Sequence, residues 1–176
     1  MPYAYVTGAD HGLGFSFVEE LLQRGWTVAA GRYSKAETAL PELAEEYGGR
    51  LLVVPLDVAS DESVRNAAEA VRRHADRLDL LINNAAILGD IERRIDQEPD
   101  FDEMQRVINV NAVGPLRVTA SVVELLRNAE EPTVLNISSE SGSVSNCWRR
   151  AWFGYCMSKA ALNRGMRIVA NDLEPQ

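Results

Sequence analysis

Tyr155 and Lys159 lie four residues apart in the run Phe153-Gly154-Tyr155-Cys156-Met157-Ser158-Lys159-Ala160-Ala161-Leu162. On a helix that spacing puts phenol and ammonium on one face, within reach of each other, and such a pair is the raw material of an acid/base device. A phenol that titrates near ~10 must come down by about 3 units, or ~4 kcal/mol, to exchange protons efficiently near neutrality. A unit charge about 4 Å away supplies ~4 kcal/mol at an effective dielectric of ~20, so one ammonium nearly suffices. Only two of the 18 Lys and Arg side chains are lysine. A composition that defaults to arginine thus places here a compact ammonium, able to approach a phenolic oxygen and a sugar hydroxyl together. A surface tyrosine packed on an aliphatic lysine stem has the same spacing, and the rest of the chain must separate the two.

The elements that would position this pair follow from the hydrophobic pattern. Short β-rich apolar runs, Tyr3 to Thr7, Trp26 to Ala30, Leu51 to Val54, Leu78 to Ile82 and Thr133 to Ile137, read as strands. Helical stretches near 12–24, 35–47, 61–75, 101–127 and 153–173 separate or follow them. Strand and helix alternation with near-continuous apolar strands predicts an α/β fold: a doubly wound, Rossmann-like parallel sheet in a three-layer αβα arrangement, with the ligand crevice beyond the carboxyl ends of the strands. At 176 residues the chain fits a single domain, 1–176, with a substantial core. A net charge of -8, with arginines scattered among acids, argues against nucleic acid or an anionic membrane surface as partner. Cys147 and Cys156 lack metal-ligand spacing, His11 and His74 are isolated, and no metal site is expected. The absence of a charged-then-apolar leader before Tyr3 and of any span-length apolar run points to a cytoplasmic protein with reduced thiols.

The first strand runs directly into Thr7-Gly8-Ala9-Asp10-His11-Gly12-Leu13-Gly14 and a helix. This reads as a phosphate cradle, with glycines for the tight turn and close approach and the helix presenting free N–H groups. It is not a Walker loop, and a glycine turn can also be a plain tight connection. Asp10 would repel phosphate there unless it points away or caps the helix, and helix capping is the reading favoured. Where an acid would receive the ribose 2'-hydroxyl of NAD, the end of the second strand carries Gly31-Arg32-Tyr33-Ser34-Lys35. Arg32 with Lys35 nearby suits a 2'-phosphate, hence NADP, with NAD still usable.

These features, with Asp57-Val58 after the third strand, Asn83-Asn84-Ala85-Ala86 after the fourth, Asn111 in a long helix and Ser138-Ser139 after the fifth, occur in the order found in one family. The chain resembles the short-chain dehydrogenase/reductases over essentially its whole length. The long Ser139-to-Tyr155 spacing is similar to that of the sniffer and C-factor-like carbonyl reductases. Ala86 replaces the family's usual glycine, and His11 stands where many NADP-preferring members have Arg or Lys. The resemblance implies Tyr155 as the proton donor or acceptor and Lys159 as the group that lowers the phenol's pKa and holds the nicotinamide ribose. Ser139 would then donate to the substrate oxygen, and Asn111 would take part in a proton relay. It implies cofactor contacts at Gly8, Asp10, His11, Gly12, Leu13, Gly14, Arg32, Asp57, Val58, Asn83, Ala85, Tyr155 and Lys159, with Asp57 and Val58 on the adenine. Small-molecule carbonyl or alcohol substrates and a homodimer or homotetramer follow from it too. Family members continue with further strands and helices, so the C-terminal strands are expected to be missing here. A dinucleotide-binding protein without turnover and a fragment used for association are the alternatives. The loop residues Trp148, Arg149, Arg150, Trp152 and Phe153 could wall a substrate pocket and draw an acidic or phosphorylated substrate, or equally pack under the loop or against another subunit.

Pro115 follows Asn111 at i+4 and has no N–H, so the Asn111 carbonyl loses its ordinary helical donor. The expected result is a helix opened at Gly114-Pro115, leaving that carbonyl available to the relay. Pro115→Ala should therefore alter the pH–rate profile; an unchanged profile would reduce Pro115 to a plain kink.

Overall fold

The computed structural model describes residues 1–34 and 39–173. The chain divides into two compact units, the first comprising Met1–Ala85 with Arg117–Ile137 and the second Ala86–Leu116 with Ser138–Gln176.

The first unit holds the whole sheet. Strands β1 (Tyr3–Val6), β2 (Thr27–Arg32), β3 (Leu51–Pro55), β4 (Leu80–Asn83) and β5 (Thr133–Asn136) pair in the order β3-β2-β1-β4-β5, every pair parallel. Helices α1 (Gly12–Gln23), α2 (Leu40–Tyr47), α3 (Asp61–His74) and most of α5 (Gly114–Arg127) flank it, giving the Rossmann-like αβα fold. Strand alternation sorts the two faces. Val6, Val28, Ala30 and Ile82 pack with Val18 and Leu22 of α1 and Leu40 of α2 in one buried cluster. Tyr3 and Tyr5 point the other way, and the Tyr3 hydroxyl lies 3.0 Å from His74 Nδ1 on α3; burial pushes both phenols' pKa up. Helix α3 is specified at every level. Ser60 accepts from Ser63 N at its start, Asp61 and Glu62 oppose the positive end of its dipole, and Arg72 and Arg73 oppose the negative end. Val64, Ala67, Ala68 and Val71 form its buried stripe.

The fourth strand begins two residues later than the apolar run suggests. Leu78 N donates to Leu125 O, and Asp79 Oδ2 accepts from Tyr3 N at 2.7 Å, so both residues are engaged at the strand's entrance. The expected helix over 35–47 is described from Leu40, and Lys35 lies outside the described residues. At the sheet margin, Leu135 of β5 is 40% exposed.

In the second unit, α4 (Phe101–Ile108) runs into a wide π turn, Asn109–Val113, and this continues as α5; α6 (Phe153–Leu173) closes the described chain. The predicted single helix over 101–127 is therefore interrupted at Asn109–Val113, one turn earlier than the opening expected at Gly114-Pro115, and those two residues begin the regular helix α5. The amide of Gly114 reaches back to Asn109 O, an i→i+5 bond.

At the end of β1 the buried Thr7 hydroxyl accepts from Asn84 N at 3.0 Å and Ala85 N at 3.1 Å. Thr7→Val keeps the shape but strands two half-buried amides, so it should cost about 2 kcal/mol, whereas Thr7→Ser should stay within ~1 kcal/mol of wild type. Urea titration of the three chains measures this; equal midpoints for Val and Ser would refute it.

Candidate active site

The cradle is built where β1 stops. Asn84 Nδ2 donates to Thr7 O and Gly8 O at 3.0 and 2.9 Å, holding the turn open-faced against the end of β4. A Cβ on Gly14 would come within 2.1 Å of Gly8 O and 2.5 Å of Asn84 Nδ2, so that glycine is demanded by the close packing of loop on helix. Gly12, at φ +57°, has nothing within 4 Å of where a Cβ would be. Its open face at the start of α1 fits a pyrophosphate, which would take the free helix N–H groups. His11 is the N-cap residue and makes no side-chain cap bond; Leu13 is 52% exposed beside it.

Asp10 does not cap this helix. Its carboxylate accepts from Tyr33 N at 3.0 Å and Ser34 N at 2.8 Å, the two amides just past β2, and the residue is buried. Helix capping was the local option, but two tertiary amide donors satisfy both carboxylate oxygens where the N-cap position offers fewer. Arg32 Nε donates to Ser34 O at 2.7 Å, so Asp10 and Arg32 meet the same turn. Past β3, Asp57 Oδ1 accepts from Ala59 N, and Asp57 N donates to Ser63 Oγ. Arg117 clasps this loop through Val58 O at 2.7 Å and an ion pair with Asp61. Asn83 is buried and its Nδ2 donates to Thr119 Oγ1 and Asn136 Oδ1, bracing β4 against β5 and α5; Ala85 sits 2.8 Å from a Cβ placed on Gly8. All these cofactor candidates belong to the first unit.

Asn111, Ser139, Tyr155 and Lys159 belong to the second. On α6, Lys159 Nζ lies 5.6 Å from the Tyr155 ring centroid, the two side chains sharing one helix face. Lys159 is only 3% exposed, and burial holds its ammonium below the ordinary lysine pKa. Asn111, on the π turn, is also buried. Its Nδ2 donates to Ile87 O at 2.8 Å and Ser158 Oγ at 3.0 Å, and its Oδ1 accepts from Ile87 N at 2.8 Å. The Asn111 side chain is thereby committed to bracing α6 and the loop after β4. Ser158 completes the brace by donating to Tyr155 O at 2.7 Å.

Ser139 opens a short 3₁₀ turn, Glu140–Gly142, docked on α6. A Cβ on Gly142 would lie 2.9 Å from Lys159 O and 2.8 Å from Asn163 Nδ2, so only glycine lets the turn come this close. The Ser139 hydroxyl donates to Glu140 Oε2 at 2.6 Å and accepts from Ser141 N. Ser138 instead donates to Asn163 Oδ1 at 2.6 Å. Hydrogen bonds from Ser139 and Arg149 hold the exposed Glu140 carboxyl down at a pKa of about 2. Arg149, its guanidinium 4.8 Å from the Trp148 ring and 4.0 Å from the Trp152 ring, makes the ion pair with Glu140. These contacts place Arg149 within the loop's own packing, one of the alternatives that the sequence leaves open. Trp152 adopts φ +68° and its ring meets Tyr155 edge-on at 5.9 Å. Glu140, Arg149 and Trp152 thus link the serine to the tyrosine through a local network that the sequence reading did not assemble. The one available signal was an acid directly after Ser139. Among the described residues no group of three His, Cys, Asp or Glu could hold a metal, and no helix is long and apolar enough to cross a membrane.

The family model described as short chain dehydrogenase matches residues 2–176. Human retinol dehydrogenase 5 is 34% identical over 175 residues, which cover 97% of this chain and 52% of that protein, so the chain spans about half its length. The NADPH-bound carbonyl reductase from chicken fatty liver superposes with a TM-score of 0.87 at 31% identity, covering 98% of this chain and 71% of that one. The carbonyl reductase Sniffer of D. melanogaster gives a TM-score of 0.91 over 99% of this chain and 76% of its own, but at 22% identity that likeness is one of fold alone.

Because burial depresses the Lys159 pKa, the folded chain releases this proton before the unfolded chain does. The cost is fully present below the folded pKa and is relieved as pH rises towards the unfolded value of ~10.4. Lys159→Met should therefore be neutral to about 2 kcal/mol more stable than wild type at pH 7, with the gap narrowing by pH 9.5. Chemical denaturation at the two pH values tests this; a variant that loses stability at pH 7 would contradict it.

Proposed function

The chain belongs to the short-chain dehydrogenase family, and on that premise we propose that it serves an NADP-preferring oxidoreductase acting on a small carbonyl or alcohol, carbonyl reductase-like, with residues 1–176 as one dinucleotide-binding domain. The observation that carries the reading is the pairing on α6 of a phenol with a buried ammonium, beside a glycine-tight turn that begins at Ser139. Gly8, Gly12, Gly14 and the start of α1 would hold the pyrophosphate, Asp57 and Val58 the adenine end, and Arg32 the 2'-phosphate. The bound nicotinamide supplies or accepts the hydride.

Tyr155 passes a proton to the substrate oxygen in reduction and takes one in oxidation. Lys159 keeps a positive charge on the same helix face, which favours the deprotonated phenol during that exchange. Ser139 donates a hydrogen bond to the oxygen as negative charge builds on it. To do so it must exchange Glu140 for the substrate as its acceptor. Asn111 and Ser158 fix the helix turn that bears Tyr155, and the Asn111 carbonyl is the proposed receiver of the relay. Exposed Val113, Met157 and Ile168 on the helices bearing Asn111 and Tyr155 support a homodimer or homotetramer, in the cytoplasm.

Binding without turnover is the second reading, and one observation favours it: the Ser139 proton is given to Glu140. NADPH oxidation across a panel of aldehydes and ketones separates the two. Turnover is expected, falling about 10²- to 10⁴-fold in Tyr155→Phe while NADPH affinity stays within a few-fold. Wild-type turnover in that variant would defeat the proposed acid, and NADPH binding without consumption of any carbonyl would favour the second reading.

A further inference from the structure

Residues 31–34, at the end of β2, contain no acid, yet a carboxylate stands there. Asp10 reaches it from the first loop, its two oxygens fixed by Tyr33 N and Ser34 N. The loop is seated beside β2 by Ala9 N donating to Gly31 O at 2.9 Å. In a dinucleotide fold this is the place where an acid receives a ribose 2'-hydroxyl or a basic side chain receives a 2'-phosphate. Here both chemistries converge on one turn, Arg32 from the strand and Asp10 from the loop. Asp10 also occupies the consecutive amides of Tyr33 and Ser34, the donors that an incoming phosphate would otherwise use.

We propose that Asp10 is a determinant of dinucleotide specificity: it accepts the ribose 2'-hydroxyl of NAD(H) and holds down the affinity for the 2'-phosphate of NADP(H) that Arg32 promotes. This rests on the dinucleotide reading given above. The acid that sets the choice is supplied in space by a residue over twenty positions earlier in the chain than the strand end it serves, so the identity of residue 32 alone overstates the preference for NADP.

The test is equilibrium binding of NADPH and of NADH to the full chain, by calorimetry or by fluorescence of the reduced nicotinamide, with Asp10→Asn, Asp10→Ser and Arg32→Ala. Asn and Ser each keep one acceptor for the turn, and thermal melts report whether each variant is folded. Removing the carboxylate should raise the NADPH-to-NADH affinity ratio about tenfold or more, through tighter NADPH and weaker NADH, while Arg32→Ala should lower the ratio. A ratio that moves less than twofold in a folded Asp10 variant overturns the role of Asp10 and leaves dinucleotide binding intact. Failure of wild type to bind either dinucleotide overturns the dinucleotide reading, and this proposal with it.

Discussion

In a parallel sheet every strand ends on the same side, and the backbone groups just past those ends have no ladder partner. Here the deficit is met by Thr7 and Asn84, which tie the exit of β1 to the exit of β4 through the Thr7 hydroxyl and two donations from Asn84 Nδ2. The glycine turn can present an open face only because these side chains, and not the turn's own backbone, take up its hydrogen-bonding groups. The other exits are treated likewise. Asp10 holds the one after β2, Ser63 and Arg117 the one after β3, and Asn83 ties β4 to Asn136 of β5. A crevice lined by short polar tethers is a consequence of strand polarity before it is an adaptation to any ligand.

Much of this was legible. Apolar runs bounded by glycine and polar residues located the five strands to within about two residues, because buried parallel strands leave little room for polar side chains. The Ser60 cap and the stripe of α3 are local patterns, written within a turn or two of the residues they govern. The Tyr155 and Lys159 offset was equally local. What escaped was long-range. Asp10 was read against its own helix because its true donors, at 33 and 34, lie in another element. Likewise the role of Arg149 stayed open between substrate and packing, since nothing in the spacing says that its guanidinium would lie against two tryptophan rings and pair with Glu140. Burial of Lys159 was also invisible, since helical spacing says which face a residue shares and not what packs over it.

That burial sets stability against use within one helix. An ammonium at 3% exposure is costly, and the chain tolerates it on the face shared with Tyr155. Trp152, held at positive φ next to the start of α6, is a second local cost in the same segment. Both fall where α6 carries its polar equipment.

The π turn at Asn109–Val113 has a further consequence for how this helix can vary. A wide turn holds one residue more than the α-helix would, so every later position is rotated by about 100° from where an unbroken helix would put it. Val118, Val122 and Leu125 are buried in that shifted phase. Excising one residue to regularise the helix would swing them off their inward stripe and bring their polar neighbours round in their place. The bulge is therefore locked by the residues downstream of it, and the segment can drift in sequence far more readily than in length.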